Sequence, residues 1–245
     1  MYIIPTVPCG YQNEFNKDYY YDFILLHKIL DNEKYRSYYQ DRDKKHAQYV
    51  ILDNSCFELR GKGIDEDILM KWAYLLHVNE IILPDVFRNP RETIKVIDKF
   101  LFNHGVVHID FKFQVVPQGK DYKERMQCLD TLLEYNEIGC IGLNKLWSIP
   151  EIVVACQKIK EKNKEIHKLG TNFSFGEWYK LPQTVRSADS RILTKLVTGQ
   201  EDIWEEKLDN KQCNILHNII SELNVDFDIF KKTYDRKKYK EILVA

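Results

Sequence analysis

Short apolar runs recur along the chain, separated by stretches in which apolar residues return every three or four positions. The runs are Tyr2–Val7, Tyr49–Leu52, Glu80–Leu83, Phe111–Val116, Cys140–Leu143, Ile166–Leu169 and Thr184–Ala188. Each is short and rich in β-branched or aromatic residues, so each predicts a strand. Asp65–Val78 places Ile68, Leu69, Trp72, Leu75 and Leu76 on one face, which predicts a helix. Pro90–Phe102 predicts a second, with Asn89 as its cap and Pro90 at the first position, where a missing N–H does no harm. Lys120–Tyr135 and Pro150–Lys162 behave in the same way, with Ser148 and Pro150 near the start of the latter. The cluster Tyr19–Tyr21 with Phe23 and Leu26 reads as the packing face of another helix.

Strands that alternate with helices predict an α/β fold built from parallel βαβ units. No glycine-rich dinucleotide fingerprint or P-loop follows any strand, which removes the usual marks of open-sheet nucleotide binders. A (β/α)8 barrel of the TIM type is the expected architecture, provided an eighth strand lies near Ile192–Val197. No repeat or low-complexity linker divides the chain, so residues 1–245 are read as one domain. Within it, 201–245 is expected to be a helical C-terminal extension ending in the basic segment "KKTYDRKKYKE".

Composition narrows the classes. The 245 residues are 44% hydrophobic with only 10 Gly and 7 Pro, enough for a sizeable core and unlike a disordered chain. The formal charge of -1 gives no global electrostatic reason for a nucleic-acid partner, although a local basic face needs none. Lys44, Lys45, Lys120, Lys123 and the tail 231–240 are candidates for such a face, but charge runs are mostly solvated surface. The six cysteines show no metal-finger spacing, and no apolar run reaches a membrane span. Nor does a signal-peptide pattern precede the cysteines, so reduced thiols in a cytoplasmic setting are expected.

The candidate chemistry lies where the apolar runs stop. The second run ends at Asp53 and Asn54, the third at Asp85, and the fourth at Pro117, Gln118 and Gly119. The fifth carries Gly142 and Asn144, the sixth Gly170 and Thr171, and the seventh Asp189 and Ser190. In a barrel of this type these ends form one rim, where active sites are built. An Asp after a strand is most often a helix cap, but Asp65 and Asn89 are better placed to cap the following helices. Three carboxylates on one rim suit metal binding, acid–base catalysis, or a nucleophile beside an acid–base partner. The seven histidines avoid the strand ends, which weakens the metal option, and no metal is expected.

In order, "LDNSCFEL", "ILPDV", "FQVVPQG", "IGCIGLNKL", "IHKLGTN" and "RSADSRI" resemble the motifs of the tRNA-guanine transglycosylase family across residues 49–191. The resemblance lies in order and spacing, and no single motif is specific alone. It implies a (β/α)8 barrel that exchanges guanine in nucleic acid for a 7-deazaguanine base through a covalent enzyme–sugar intermediate. It also implies roles for individual residues: Asp189 as the nucleophile at the sugar C1′ and Asp53 as the acid–base carboxylate. Asp85 and Gln118 would read the guanine edge, with Gly119 beside them. Gly142 and Leu143 would make backbone contacts to the base, Phe57 would pack on its face, and Asn54, Leu169 and Gly170 would complete the pocket.

This sequence has "NSC" where the family has two glycines, and Gln118-Gly119-Lys120 where it has QGG. It lacks the Cys/His zinc motif, and hence the subdomain that helps hold tRNA. It is more similar to short relatives that modify DNA, some of them encoded by phages. The expected partners are therefore DNA rather than tRNA and a free 7-deazaguanine-type base, with no cofactor, no membrane and homodimerisation left open. Bacterial or phage-infected cytoplasm is the expected location. Two other readings stand beside this one. Water in place of the incoming base would make a nucleosidase or glycosylase, and loss of turnover would leave a barrel that only binds a guanine nucleotide. Trp178 and Tyr179 are candidates either to stack on a flipped base or to pack as a helix start.

Overall fold

A strand buried on both faces must present apolar side chains at odd and at even positions, and "YVILD" does so. In the computed structural model, which describes residues 2–5, 21–41, 49–61, 63–105, 111–170, 180–190, 209–211 and 214, this segment is one of eight strands. They are β1 (Tyr2–Pro5), β2 (Tyr21–Leu25), β3 (Tyr49–Asp53), β4 (Glu80–Ile82), β5 (Lys112–Val115), β6 (Ile138–Leu143), β7 (Glu165–Lys168) and β8 (Ser187–Ser190). The helices described are α1 (Leu26–Asp31), α2 (Glu33–Asp41), α3 (Glu66–Leu75), α4 (Pro90–His104), α5 (Tyr122–Leu132) and α6 (Ile149–Glu161). Seven parallel ladders join the strands in the order β1-β8-β7-β6-β5-β4-β3-β2. The edge strands β1 and β2 lie beside each other, so the sheet is nearly closed into a barrel.

The two faces of the sheet separate cleanly. Ile4, Tyr21, Ile51, Ile82 and Val116 form one buried cluster inside the barrel, with Phe23, Tyr49 and Leu169 packed on it. The alternate residues, among them Val50, Leu52, Ile81, Phe113, Val115, Ile141 and Ile166, pack outward against Leu69, Ile97, Phe100, Leu129 and Ile152 of the helices. Caps fix where the helices begin. Asp65 accepts from the Asp67 and Ile68 amides at 2.9 and 3.3 Å, Asn89 from Glu92 at 3.2 Å, and Asp121 from Glu124 at 2.9 Å. The Ser148 amide donates to Glu151 at 2.8 Å, as in a capping box. No helix among the described residues is long and apolar enough to cross a membrane.

Two expectations change. Of the tyrosine-rich segment expected to be a helix face, Tyr19 and Tyr20 lie outside the described residues and Tyr21–Leu25 is strand β2, which pairs with β3 from Tyr21 opposite Tyr49 to Leu25 opposite Asp53. The strand runs into α1 with no loop between them, so the apolar pattern crosses a junction and period two is masked. Its Asp22 is buried and accepts from the Tyr39 hydroxyl at 3.2 Å, a partner that only the tertiary fold supplies. Strand β8 begins at Ser187 rather than Thr184, which puts Asp189 inside it instead of after it. The expected strand near Ile192–Val197, Trp178 and Tyr179, Lys44 and Lys45, and nearly all of 201–245 lie outside the described residues.

The N-terminal end of the barrel is filled by an ionic cluster. Arg186 Nη1 and Nη2 donate to the two carboxylate oxygens of Glu80 at 2.7 and 3.1 Å, and Nη1 also donates to Glu165. Glu80 is wholly buried and also accepts from the Tyr49 hydroxyl at 2.6 Å. The guanidinium lies over the rings of Tyr49 and Tyr21, 5.0 and 5.5 Å from their centroids. Arg186→Met would strand a buried carboxylate. The expected loss is about 3–5 kcal/mol of unfolding free energy in urea denaturation, with partial recovery when Glu80→Gln is added.

Candidate functional site

Strand register brings the strand-end carboxylates together. Asp53 closes β3, Asp85 lies three residues past β4, and Asp189 is the third residue of β8; all three line one cavity at the C-terminal end of the barrel. Gln118, Asn54, Phe57, Leu169 and Gly170 line it as well. Gly119, Gly142 and Leu143 are not among its lining residues. Gly119 instead fits against the start of α5, where an added Cβ would meet the Arg125 amide at 2.5 Å. Gly142 lies beneath the floor, where a Cβ would strike Gln114 and Leu169 at 2.6 and 2.8 Å, so its bareness lets Leu169 lie across the barrel. The Leu143 side chain is buried in the outer core, while its carbonyl accepts from the Leu169 amide at 2.9 Å.

The segment "NSC" builds the wall around Asp85. Asn54 Nδ2 donates to Asp85 Oδ1 at 2.9 Å and to the Leu83 carbonyl at 2.6 Å. Cys56 Sγ donates to the Asp85 carbonyl at 3.1 Å, and the Cys56 amide donates to Asn54 Oδ1 at 2.8 Å. Between them Ser55 adopts φ 57°, the left-handed conformation that glycine takes most easily. Its amide donates to Asp53 Oδ2 at 3.0 Å, so the turn also orients the second carboxylate. Gln118 Nε2 donates to Asp85 Oδ2, and its Oε1 accepts from the Arg88 amide at 3.1 Å. Asp85 and Gln118 thus form one fixed polar edge facing the cavity.

The carboxylates occupy three different environments. Burial pushes Asp53 well above the usual carboxylate range, and Glu58, Asp189 and Asp85 add to this against the single opposing Ser55 amide. Burial also raises Asp85, but the donors from Asn54, Gln118 and Cys56 pull the other way. Asp189 is nine-tenths buried, and its Oδ1 accepts from the Gly170 amide at 2.8 Å, with His167 Nε2 at 3.3 Å. Lys168, wholly buried, donates to the Asn144 and Leu169 carbonyls at 2.8 and 3.2 Å and ties two rim loops together. Burial lowers this lysine to about 7, with Asp189 opposing the fall.

No protein-family model and no curated protein matches the chain.

Several groups at the site carry no clear signal in the sequence. Glu58, Phe87 and Lys145 line the cavity, and His167 supports it from inside the barrel. Phe57 and Phe87 stand half-exposed at the lip, with ring centroids 6.3 Å apart. Lys145 Nζ lies 4.1 Å from the Phe57 centroid, and the Arg88 guanidinium lies 5.2 Å from that of Phe87. These side chains converge from three separate loops. Among the described residues, Glu80, Cys140 and Glu165 bring three ligand atoms within 4.8 Å of one another. Arg186 pairs with both carboxylates there and Lys112 with Glu165, so that cluster is an ion-pair plug in form.

Ionising Asp53 opposes folding, since its folded-state affinity for a proton exceeds that of the unfolded chain. The stability it allows is full at acid pH and is lost as pH rises through its elevated folded-state value. Asp53→Asn keeps the acceptor for the Ser55 amide and removes the charge. It is expected to melt at a higher temperature than the parent at pH 8, by roughly 2–4 °C per kcal/mol relieved, with the difference closing toward pH 4 in parallel thermal scans.

Proposed function

We propose that the chain is an N-glycosyl transferase of the guanine-exchange type, acting on DNA in a bacterial or phage-infected cytoplasm through a closed (β/α)8 barrel. The observation that carries this reading is the convergence of three carboxylates in distinct environments around one fixed amide–carboxylate edge. Asp85 supplies acceptors for the N1–H and exocyclic amine of guanine, and the Gln118 amide faces its carbonyl edge. Asp189 attacks C1′, the C1′–N9 bond breaks, and its electron pair leaves with the base, which takes a proton from Asp53. An acylal-type ester then joins Asp189 to the sugar. The incoming 7-deazaguanine gives its ring N–H proton to Asp53 and attacks C1′, and Asp189 departs as carboxylate. Protons and charges balance over the two halves, and no metal or cofactor is called on.

The raised proton affinity of Asp53 suits a group that must begin protonated. The target base has to leave the stack before C1′ is reachable, and the aromatic, cation-flanked lip of Phe57, Phe87, Lys145 and Arg88 suits a flipped nucleotide and its phosphate.

The test is incorporation of labelled guanine into a DNA oligonucleotide. Exchange by the parent protein and a loss on the order of 10⁴-fold or more in Asp189→Asn are expected. Undiminished exchange in that variant would remove Asp189 as nucleophile. Release of free base without incorporation would make water the acceptor, and binding without turnover by the parent would make the barrel a binding protein.

A further inference from the structure

We propose that His167 is a positioning residue that aims the Asp189 carboxylate, as one link of a hydrogen-bonded chain that runs through Ser187 to Arg186. The proposal rests on the glycosyl-transfer reading for its kinetic consequence, but not for its geometry. His167 lies inside the barrel, is wholly buried, and pairs with Ser187 across the β7–β8 ladder. Side chains two apart on a strand share a face, so Ser187 and Asp189 both point at it. The imidazole Nδ1 is 2.8 Å from Ser187 Oγ, and Nε2 is 3.3 Å from Asp189 Oδ1. Phe23 stacks on the ring at 5.6 Å and 19°, which restricts its rotation.

The direction of these bonds follows from one fixed acceptor. The Asp189 carboxylate can only accept, so the imidazole carries its proton on Nε2, facing Oδ1. In the neutral ring Nδ1 then accepts, and Ser187 turns its O–H toward it. The Ser187 oxygen in turn accepts from Arg186 Nε at 3.2 Å. Asp189 Oδ1 thus receives two N–H donors, from His167 and from Gly170, and the pair sets the plane of the carboxylate and the heading of Oδ2. Arg186 is itself pinned by Glu80 and Glu165, so a directed chain runs from the ion-pair plug up to the proposed nucleophile. The 3.3 Å contact is long for such a bond, as in a site that tightens around its substrate.

A buried histidine that merely fills space would matter to stability alone. Two variants separate the roles: His167→Phe keeps an aromatic ring against Phe23 and removes both nitrogens, whereas His167→Gln restores an amide donor near Nε2. In the exchange assay His167→Phe is expected to lower kcat on the order of 10²-fold with KM for guanine unchanged, and His167→Gln to recover much of the loss. Equal rates in His167→Phe and the parent, a loss confined to KM, or no advantage of Gln over Phe would each overturn the proposal. Nitrogen-15 NMR of the imidazole supplies a readout that needs no turnover. Protonated Nε2 with bare Nδ1 supports the proposal, and the opposite tautomer refutes it. A parent protein that shows this Nε2–H tautomer yet exchanges no guanine would count against the glycosyl-transfer reading and leave the positioning geometry intact.

Discussion

The rest of the structure depends on how one guanidinium is buried. Arg186 enters the barrel just before β8 and meets carboxylates from β4 and β7 and hydroxyphenyl rings from β2 and β3. These strands are not all neighbours in the sheet, so the cluster ties the wall across its interior as well as along its ladders. A desolvated carboxylate such as Glu80 tolerates burial only beside a compensating charge with good geometry, which makes the cluster a demanding constraint on register. Once Arg186 is fixed, Ser187 and Asp189 have no choice of face.

The upper end of the barrel poses the reverse problem, an excess of negative charge. Asp53, Glu58, Asp85 and Asp189 share one cavity, and each of the three aspartates meets the repulsion differently. Burial raises the proton affinity of Asp53, Asp85 is surrounded by amide and thiol donors, and Asp189 leans on two N–H groups. Environments that push like groups apart in proton affinity are how acid and nucleophile are told apart when the residue type is the same. In the proposed reaction this division is the mechanism: one carboxyl gives a proton, one reads the base, and one attacks the sugar.

Much of this was legible in the sequence because strand ends announce themselves. "ILPD" and "VILDN" each place a polar group where an apolar run stops, and the parallel barrel gathers such positions onto one rim. Helix starts at Asp65, Asn89 and Ser148 were legible for the same local reason, since capping depends on residues within one turn. Strand β2 was not, because "YDFILLHKIL" joins strand to helix without a break and its buried Asp22 needs Tyr39 from another element. Nor could His167 be read as part of the site, for its partners come from the β7–β8 register and not from its neighbours in sequence. The "NSC" segment shows the converse. It departs from glycine, yet Ser55 still takes the left-handed turn, and Asn54 and Cys56 become the supports of Asp85.

The central claim, that Asp189 becomes bonded to the sugar, is tested most directly by peptide mapping of a trapped adduct. The protein would be mixed with a guanine-containing DNA oligonucleotide without an incoming base, quenched under denaturing conditions, digested and analysed by mass spectrometry. The expected product is an oligonucleotide joined through its abasic sugar to the peptide that carries Asp189. An adduct on Asp53 or Asp85, or steady base exchange with no adduct at Asp189, would contradict it.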